Sequence, residues 1–165
     1  GCVWCDVKES WDRNEHEVLT VDFLLKQVKE SGTNFVVITG GEPAMYDLTI
    51  LTKKLKEQGI YVAIETSGAY QLIGDFDWVC LSPKKFKAPV DSVIKQAHEL
   101  KVIVFNKHDF KWGEEFTSKV NSNCKLFLQP EWSKNKEMAD LIVDYVKENP
   151  KWNISLQTHK YLGVL

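Results

Sequence analysis

The chain has 165 residues, of which 44% are hydrophobic and 27% are charged, a profile that is typical of one soluble globular domain and excludes a disordered or fibrous protein. A formal net charge of -2 offers no basic surface to nucleic acid or to anionic lipid, and no apolar run approaches the roughly 18 residues of a membrane span. We therefore predict a single-domain cytoplasmic protein, residues 1–165, that binds neither nucleic acid nor a membrane.

The chain opens with GCVWCDVKESW, in which Cys2 and Cys5 form a Cys-x-x-Cys pair. Such a pair is redox-active in some proteins and supplies two ligands to zinc or to an iron–sulfur cluster in others. Zinc requires a second Cys or His pair at matching spacing, which the sequence lacks, and a thioredoxin-like pair follows a strand, whereas no strand precedes Cys2. Cys80 and Cys124 lie in or beside apolar runs and are predicted to be core residues.

Six short apolar runs alternate with segments of helical periodicity. The runs are residues 35–39, 61–65, 78–82, 102–105, 126–129 and 154–158. Strands that are apolar throughout are expected to be buried on both faces, as in a parallel sheet connected by helices. Because a complete eight-fold βα barrel takes about 250 residues, six strands predict either an open doubly wound sheet or an incomplete α/β barrel.

Three segments between the runs place apolar residues on one face of a helix. These sets are Val21, Leu24, Leu25 and Val28; Val90, Val93, Ile94 and Ala97; and Met138, Leu141, Ile142 and Tyr145. Thr20 is the predicted N-cap of the first helix, Gly32 and Gly59 are predicted helix ends, and Pro150 is predicted to stop the last helix.

Most of the apolar runs end in a polar residue. These residues are Thr39, Glu65, Ser82, Asn106, Gln129, Gln157 and Thr158. The carboxyl ends of parallel strands meet at one rim, and this rim carries the functional site in α/β folds. Any one of these residues could simply mark where solvent begins, but together they predict a polar site.

The segment TGGEPAMYD follows the first run and places Glu42 after two glycines. Adjacent glycines let a ligand approach the backbone closely, so this segment suits an ammonium or another polar group, although a tight turn explains the same four residues. Neither a GxGxxG motif nor a P-loop is present, which argues against nucleotide binding of those types. IETSG, LSPKK, LQPEW and LQTHKYLGVL bring further polar groups to the ends of later runs.

Together, GCVWCD and TGGEP resemble the radical S-adenosylmethionine (SAM) enzymes. Three cysteines in the pattern Cys-x-x-x-Cys-x-x-Cys ligate a [4Fe–4S] cluster in that superfamily, and a Gly-Gly-Glu motif binds the amino group of SAM. The resemblance implies that Cys2 and Cys5 are the last two of these cysteines. The first would lie four residues before Cys2, so we expect the sequence to lack an N-terminal segment.

Within that superfamily, six segments in order along the chain resemble the 7-carboxy-7-deazaguanine synthase family. They are CDVKESW, TGGEPAMYD, ETSG, LSPK, LQPEW and SLQTHKYLG. The resemblance implies an incomplete βα barrel of about six parallel strands with outer helices. It also implies a lyase of queuosine biosynthesis that contracts 6-carboxy-5,6,7,8-tetrahydropterin to 7-carboxy-7-deazaguanine with loss of ammonia. A flavodoxin-like electron donor and a homodimer are the further partners expected.

The resemblance also assigns roles to residues of this chain. The radical is carried by SAM, so no side chain is assigned a catalytic role, and Cys2 and Cys5 hold the cluster. The residues expected to line the SAM site are Trp4, Asp6, Gly41, Glu42, Ser67, Ser82, Lys84 and Gln129. Thr39 and His159 are expected to face the pterin, and the carboxylate of Leu165 is expected to accept hydrogen bonds from its amino-pyrimidine edge.

Two features leave alternatives open. Family members often carry Thr or Ser at the position of Val7, where the hydroxyl helps to hold Mg²⁺, so magnesium here would depend on substrate and water oxygens. The cysteines and Gly-Gly-Glu-Pro also suit another small radical SAM enzyme, such as a glycyl-radical activase, although that class should not carry the SLQTHK segment. Because two cysteines hold a cluster poorly, a non-catalytic fragment that binds little iron is the third interpretation.

Overall fold

Strands and helices alternate along the part of the chain that the computed structural model describes, which is residues 8, 12, 14 and 16–164. The strands are β1 (Phe35–Ile38), β2 (Tyr61–Thr66), β3 (Trp78–Leu81), β4 (Glu99–Val104), β5 (Lys125–Pro130) and β6 (Trp152–Ile154). The helices are α1 (Val21–Ser31), α2 (Thr49–Glu57), α3 (Asp91–Gln96), α4 (His108–Thr117), α5 (Asn135–Glu148) and α6 (Thr158–Leu162). None of these helices is long and apolar enough to cross a membrane.

The six strands form one parallel sheet in the order β1-β2-β3-β4-β5-β6. Strand order therefore equals chain order, and each connection steps to the next position in the same direction. Because crossovers between parallel strands are right-handed, such a sheet has its helices on one side and curves toward a barrel. Within the described residues the sheet does not close, so the predicted incomplete barrel is confirmed, and the doubly wound alternative is wrong.

Alternate residues of β4 show how the two faces of the sheet differ. Leu100, Val102 and Val104 are fully buried in the cluster that the strands form with the helices. Glu99 and Lys101 point to the opposite face and are only partly buried. The expectation that both faces are buried is therefore wrong for β4, whose inner face lines an open cavity. In β2 and β3, by contrast, three consecutive residues are buried, so both faces of these strands are covered.

The ends of the first two helices follow from local chemistry. Thr20 extends before α1, and its hydroxyl accepts a hydrogen bond from the backbone N–H of Phe23 at 3.2 Å, as predicted for the N-cap. Gly32 and Gly59 have φ of 69° and 72°, the left-handed conformation that ends a helix and that glycine adopts without strain. These three predictions are confirmed.

The last strand differs from its predicted extent. The run 154–158 was expected to be a strand, but β6 covers residues 152–154, and Thr158 begins α6. The buried Trp152 fixes the position of β6, and the backbone N–H of Ser155 makes the last hydrogen bond to the sheet, to Leu128 O at 2.9 Å. After Ser155 the pairing with β5 ends, and the chain turns into α6.

Candidate functional site

A cavity of about 650 Å³ opens at the carboxyl ends of the strands, and we call it the strand-end pocket. Its volume lies within the range of small-molecule sites, about 300–1,000 Å³. The predicted site residues that line it are Thr39, Gly41, Ser67, Ser82, Lys84, Gln129 and His159. They come from five separate segments of the chain, so the pocket exists only because parallel strands bring their ends to one rim.

Glu42 does not line the strand-end pocket, but its carboxylate joins the segment after β1 to the carboxyl end of β2. Its Oε1 accepts hydrogen bonds from Ala44 N at 3.1 Å and Thr66 Oγ1 at 2.6 Å. Its Oε2 accepts from Ser67 N at 2.9 Å and from the Ser67 hydroxyl. The carboxylate thus closes the short 3₁₀ turn Pro43–Met45 and holds the carboxyl end of β2 beside the glycines.

Two further pairs of side chains are hydrogen-bonded at the rim of the strand-end pocket. After β3, the Lys84 ammonium donates to the backbone carbonyl of Ser82 at 2.8 Å and to its hydroxyl at 2.7 Å, so a cation is held at the rim. After β5 and β6, Ser155 Oγ donates to Gln129 Oε1 at 3.0 Å. This bond uses the carbonyl oxygen of Gln129, and no described residue is recorded as accepting from its amide N–H groups, which can donate to a ligand.

Glu65, one of the polar residues predicted at the strand ends, lines the same pocket together with Glu99 and Lys101, which were not predicted. Lys101 Nζ pairs with Glu65 Oε1 at 2.8 Å, and only 14% of the Lys101 side chain is exposed. Burial acts to lower the pKa of Lys101, but the neighbouring Cys80 sulfur and the carboxylates of Glu65 and Glu99 together outweigh it and hold the pKa above its ordinary value. The side chain is therefore an ammonium at neutral pH.

The sequence did not predict Glu99 and Lys101 as site residues because the predicted strand begins at Val102, whereas β4 begins at Glu99. The signal was the alternation of Glu99, Lys101 and Ile103, which line the pocket from one face of the strand. Other lining residues that were not predicted follow the later strands: Glu131, Trp132, Ser155, Leu156 and Lys160.

The two cysteines within the described residues are free thiols: Cys80 is buried in the core, as predicted, whereas Cys124 is partly buried and packs against the core. Burial raises the pKa of Cys80 far above its ordinary value and raises the pKa of Cys124 to about 11. Both thiols therefore keep their protons at neutral pH, unlike the thiolates that ligate iron. Among the described residues, no group of three His, Cys, Asp or Glu side chains is arranged to hold a metal ion.

Several predicted site residues lie outside the described residues. They are Cys2, Trp4, Cys5, Asp6 and Leu165.

A smaller cavity of about 370 Å³ lies near the amino ends of β3 and β4. His98 lines it, but the His98 Nδ1 accepts from Val79 N at 3.1 Å, and the backbone N–H of His98 donates to Val79 O at 2.9 Å. This histidine joins two strands, and functional sites of parallel α/β folds lie at the opposite ends of the strands.

The chemistry of the strand-end pocket fits the polar groups of SAM. An amino acid head group needs acceptors for its ammonium and donors for its carboxylate, and a ribose needs partners for two hydroxyls. Backbone groups of Gly40 and Gly41, the Ser67 hydroxyl, the Lys84 ammonium and the Gln129 amide offer both kinds of partner. Gly40 has a φ of 124°, which leaves its backbone open to close approach.

Comparison with known proteins agrees with this chemistry. Residues 1–105 match the family model described as the Radical SAM superfamily. The chain is 54% identical over 164 residues to a 7-carboxy-7-deazaguanine synthase of Flavobacterium psychrophilum, covering 99% of this chain and 78% of that protein. It is 47% identical over 163 residues to a protein of the same name from Synechocystis, with coverages of 99% and 78%.

The fold is similar to a solved structure. The crystal structure of QueE from Escherichia coli superposes with a TM-score of 0.84 at 27% sequence identity, covering 95% of this chain and 80% of that chain.

Proposed function

The chain belongs to the 7-carboxy-7-deazaguanine synthase family of the radical SAM superfamily, and on this premise we propose how its strand-end pocket serves the reaction. The protein is a radical SAM lyase that contracts 6-carboxy-5,6,7,8-tetrahydropterin to 7-carboxy-7-deazaguanine with loss of ammonia, a step of queuosine biosynthesis. The observation that carries this conclusion is the 54% identity to a synthase over 99% of the chain.

A [4Fe–4S] cluster and SAM together supply the one-electron chemistry that starts the reaction, and the protein supplies placement. We propose that Cys2 and Cys5 hold the cluster and that Trp4 and Asp6 contact SAM from the same segment. Lys84 and Gln129 donate hydrogen bonds to SAM, and Gly41 offers its backbone carbonyl to the ammonium. Ser67 and Ser82 present hydroxyls, and Glu42 keeps Ser67 in place.

The pterin lies on the same side of the sheet in this proposal. Thr39 at the end of β1 and His159 in α6 both line the strand-end pocket, which supports their assignment to the substrate. The carboxylate of Leu165 completes the set by accepting from the amino-pyrimidine edge, where a paired acceptor fixes the orientation of the ring.

The proposal also includes a bound magnesium ion. Val7 has no oxygen to offer, so we propose that Mg²⁺ is held through substrate and water oxygens. Product formation after chelation, with and without added Mg²⁺, tests this point. The proposal also places the protein in the reducing cytoplasm, with a flavodoxin-like electron donor and as a homodimer.

The function is tested with the full-length protein, its cluster reconstituted anaerobically, incubated with SAM, a reductant and the carboxypterin. Mass spectrometry should detect 7-carboxy-7-deazaguanine. If 5′-deoxyadenosine accumulates without any deazaguanine, the substrate assignment is wrong.

A pair of cysteine variants checks the cluster ligands in the same preparation. Cys5→Ser should lose most of its bound iron and its absorbance near 400 nm, since a serine replaces a thiolate ligand. Cys124→Ser changes the same atoms in a half-buried thiol away from the strand-end pocket and should keep the iron content of the parent protein. Equal iron content in both variants would contradict the assignment of Cys5.

A further inference from the structure

The short helix α6 carries His159 to the strand-end pocket, but none of the five residues of this helix is buried. Tyr161 and Leu162 are 54% and 70% exposed, so packing in the core does not hold α6 in place. A helix of this length is also too short to be stable through its own backbone hydrogen bonds. The orientation of His159 therefore depends on contacts that α6 makes with other elements.

These contacts lie at the junction between β5 and α5. The side-chain amide of Asn135 donates a hydrogen bond to the Tyr161 hydroxyl at 2.7 Å. The rings of Trp132 and Tyr161 meet edge to face, with their centroids 5.2 Å apart. Lys160 Nζ lies 5.4 Å from the centroid of the Trp132 ring, within the range of a cation–π interaction. We call Trp132, Asn135 and Tyr161 the α6 anchor.

Two residues of the α6 anchor belong to elements that the core holds in place. The helix α5 begins at Asn135 and buries Met138 in the core. Trp132 directly follows Glu131, whose backbone N–H donates to Val104 O at 2.9 Å beyond the paired residues of β5. The α6 anchor thus joins an exposed helix to a fixed part of the fold.

The order of these contacts along α6 sets the direction in which His159 points. Successive residues of an α-helix are rotated by about 100° around its axis. His159 lines the pocket, and the next two residues, Lys160 and Tyr161, contact Trp132 and Asn135. Contacts in two directions fix the rotation of the helix as well as its position. Asn135 and Tyr161 do not themselves line the pocket, so they act on a ligand there through α6.

We propose that Asn135 and Tyr161 are positioning residues for the pterin. Their hydrogen bond, with the Trp132 ring packed against Tyr161, holds α6 in the orientation that turns His159 toward the substrate. This inference rests on the proposed function, which takes His159 as a contact of the pterin. Because SAM is assigned to other segments of the chain, the α6 anchor acts on pterin binding and not on SAM binding.

The first test measures the binding of two ligands to the anaerobically reconstituted holoenzyme. Pterin-6-carboxylate is the substrate probe, titrated by its fluorescence, and SAM is titrated separately by calorimetry. Tyr161→Phe removes one hydroxyl and should raise the dissociation constant of the pterin about two- to tenfold, the range for one hydrogen bond. The dissociation constant of SAM and the melting temperature should match those of the parent protein. An unchanged dissociation constant of the pterin would overturn the proposal.

Steady-state kinetics gives a second readout. Tyr161→Phe should raise the KM of the carboxypterin by a similar factor and leave kcat nearly unchanged, because the α6 anchor takes no part in bond breaking. The control Tyr61→Phe removes a hydroxyl that donates to Asp77 O at 3.3 Å at the amino end of β2, and it should leave both constants unchanged. A loss of kcat at constant KM in Tyr161→Phe would contradict a positioning role.

Variants of Asn135 test whether the two residues act together. Asn135→Leu should weaken pterin binding about as much as Tyr161→Phe, and the double variant should bind no more weakly than either single variant. Asn135→Asp keeps an acceptor for the Tyr161 hydroxyl and should bind the pterin like the parent protein. Fully additive effects of the two single changes, or weak binding in Asn135→Asp, would show that the hydrogen bond is not responsible.

Proteolysis reports on α6 without any ligand. Trypsin cleaves after Lys160 when the helix opens locally. Tyr161→Phe should raise the rate of this cleavage about two- to tenfold, measured by mass spectrometry, and saturating pterin-6-carboxylate should slow it in the parent protein. Equal rates in the variant and the parent protein would show that the bond to Asn135 does not hold α6.

Failure of the proposed function gives a different result. If the parent protein binds no pterin and makes no deazaguanine, then the assignment of a pterin substrate fails. If it makes deazaguanine but Tyr161→Phe and Asn135→Leu bind the pterin like the parent protein, then only the inference about the α6 anchor fails.

Discussion

Glu42 shows how far residue type and position alone could predict the site. The sequence indicated a carboxylate beside two glycines, which suits either a ligand or a turn. The structure shows that the carboxylate closes the turn and also binds Thr66 and Ser67 at the end of another strand. The second role depends on a contact between segments 24 and 25 residues apart, which no local pattern contains.

Replacing Glu42 with Gln should therefore destabilise the protein. The amide has one oxygen instead of two, so at least one of the N–H and O–H donors loses its acceptor. We expect the free energy of unfolding, measured by urea denaturation, to fall by about 1–3 kcal/mol. The same change at exposed Glu57 on α2 should alter it by less than about 0.5 kcal/mol. Equal stability of the two variants would mean that the Glu42 hydrogen bonds contribute nothing net.

At the scale of elements, apolar periodicity located the strands and three helices well, because each must bury one face. It was less reliable at their ends. The strand β4 starts three residues earlier than its apolar run, and β6 ends four residues earlier than its run. Backbone pairing with a neighbouring strand sets these limits, so charged residues such as Lys101 become part of a strand when a neighbour is available.

The turn after β2 gives a sharp prediction at this scale. Gly68 has a φ of 74°, and a Cβ there would lie 2.5 Å from Leu81 Cδ1 and 2.8 Å from Pro89 Cβ. Gly68→Ala therefore combines backbone strain of about 1–2 kcal/mol with overpacking of about 1–3 kcal/mol. We expect it to lower the free energy of unfolding by about 2–5 kcal/mol in chemical denaturation.

Gly59→Ala is the matched control for Gly68→Ala. Gly59 has a nearly equal φ of 72°, but a Cβ there would meet nothing within 4 Å. Gly59→Ala should therefore lower the free energy of unfolding only by the backbone strain, about 1–2 kcal/mol. Two variants of equal stability would show that the close packing around Gly68 relaxes freely.

At the scale of the whole molecule, single side chains join elements that are distant in sequence. Glu114 on α4 accepts from Lys151 Nζ at 2.6 Å, Trp152 Nε1 at 2.7 Å and Tyr145 OH at 2.8 Å. It thereby connects α4 to α5 and β6. Partial burial acts to raise the pKa of Glu114, but these three hydrogen bonds outweigh it and hold the pKa below its ordinary value of 4.5.

This lowered pKa predicts an acid-dependent contribution to stability. A carboxyl whose pKa is lower in the folded state stabilises the fold fully above its unfolded pKa, and the contribution disappears as pH falls through the folded pKa. Glu114→Gln should lower the free energy of unfolding by about 1–3 kcal/mol at pH 7, and the difference from the parent protein should shrink below about pH 4.5.

Urea denaturation at several pH values measures this difference. Glu115→Gln, on the exposed side of the same helix, should show no such trend. If the difference in the free energy of unfolding between Glu114→Gln and the parent protein stays constant down to about pH 3, the predicted linkage is contradicted.

The sequence by itself determined the class of fold, the family and seven residues that line one pocket. These follow from local information: apolar runs that must be buried, glycines that the backbone requires, and short motifs that carry chemistry. The tertiary structure alone decided that the barrel stays open, that Glu42 connects two strand ends, and that Glu65 and Lys101 meet on the inner face. Each of these depends on which strands become neighbours and in which register, and register is a property of pairs of segments rather than of either segment.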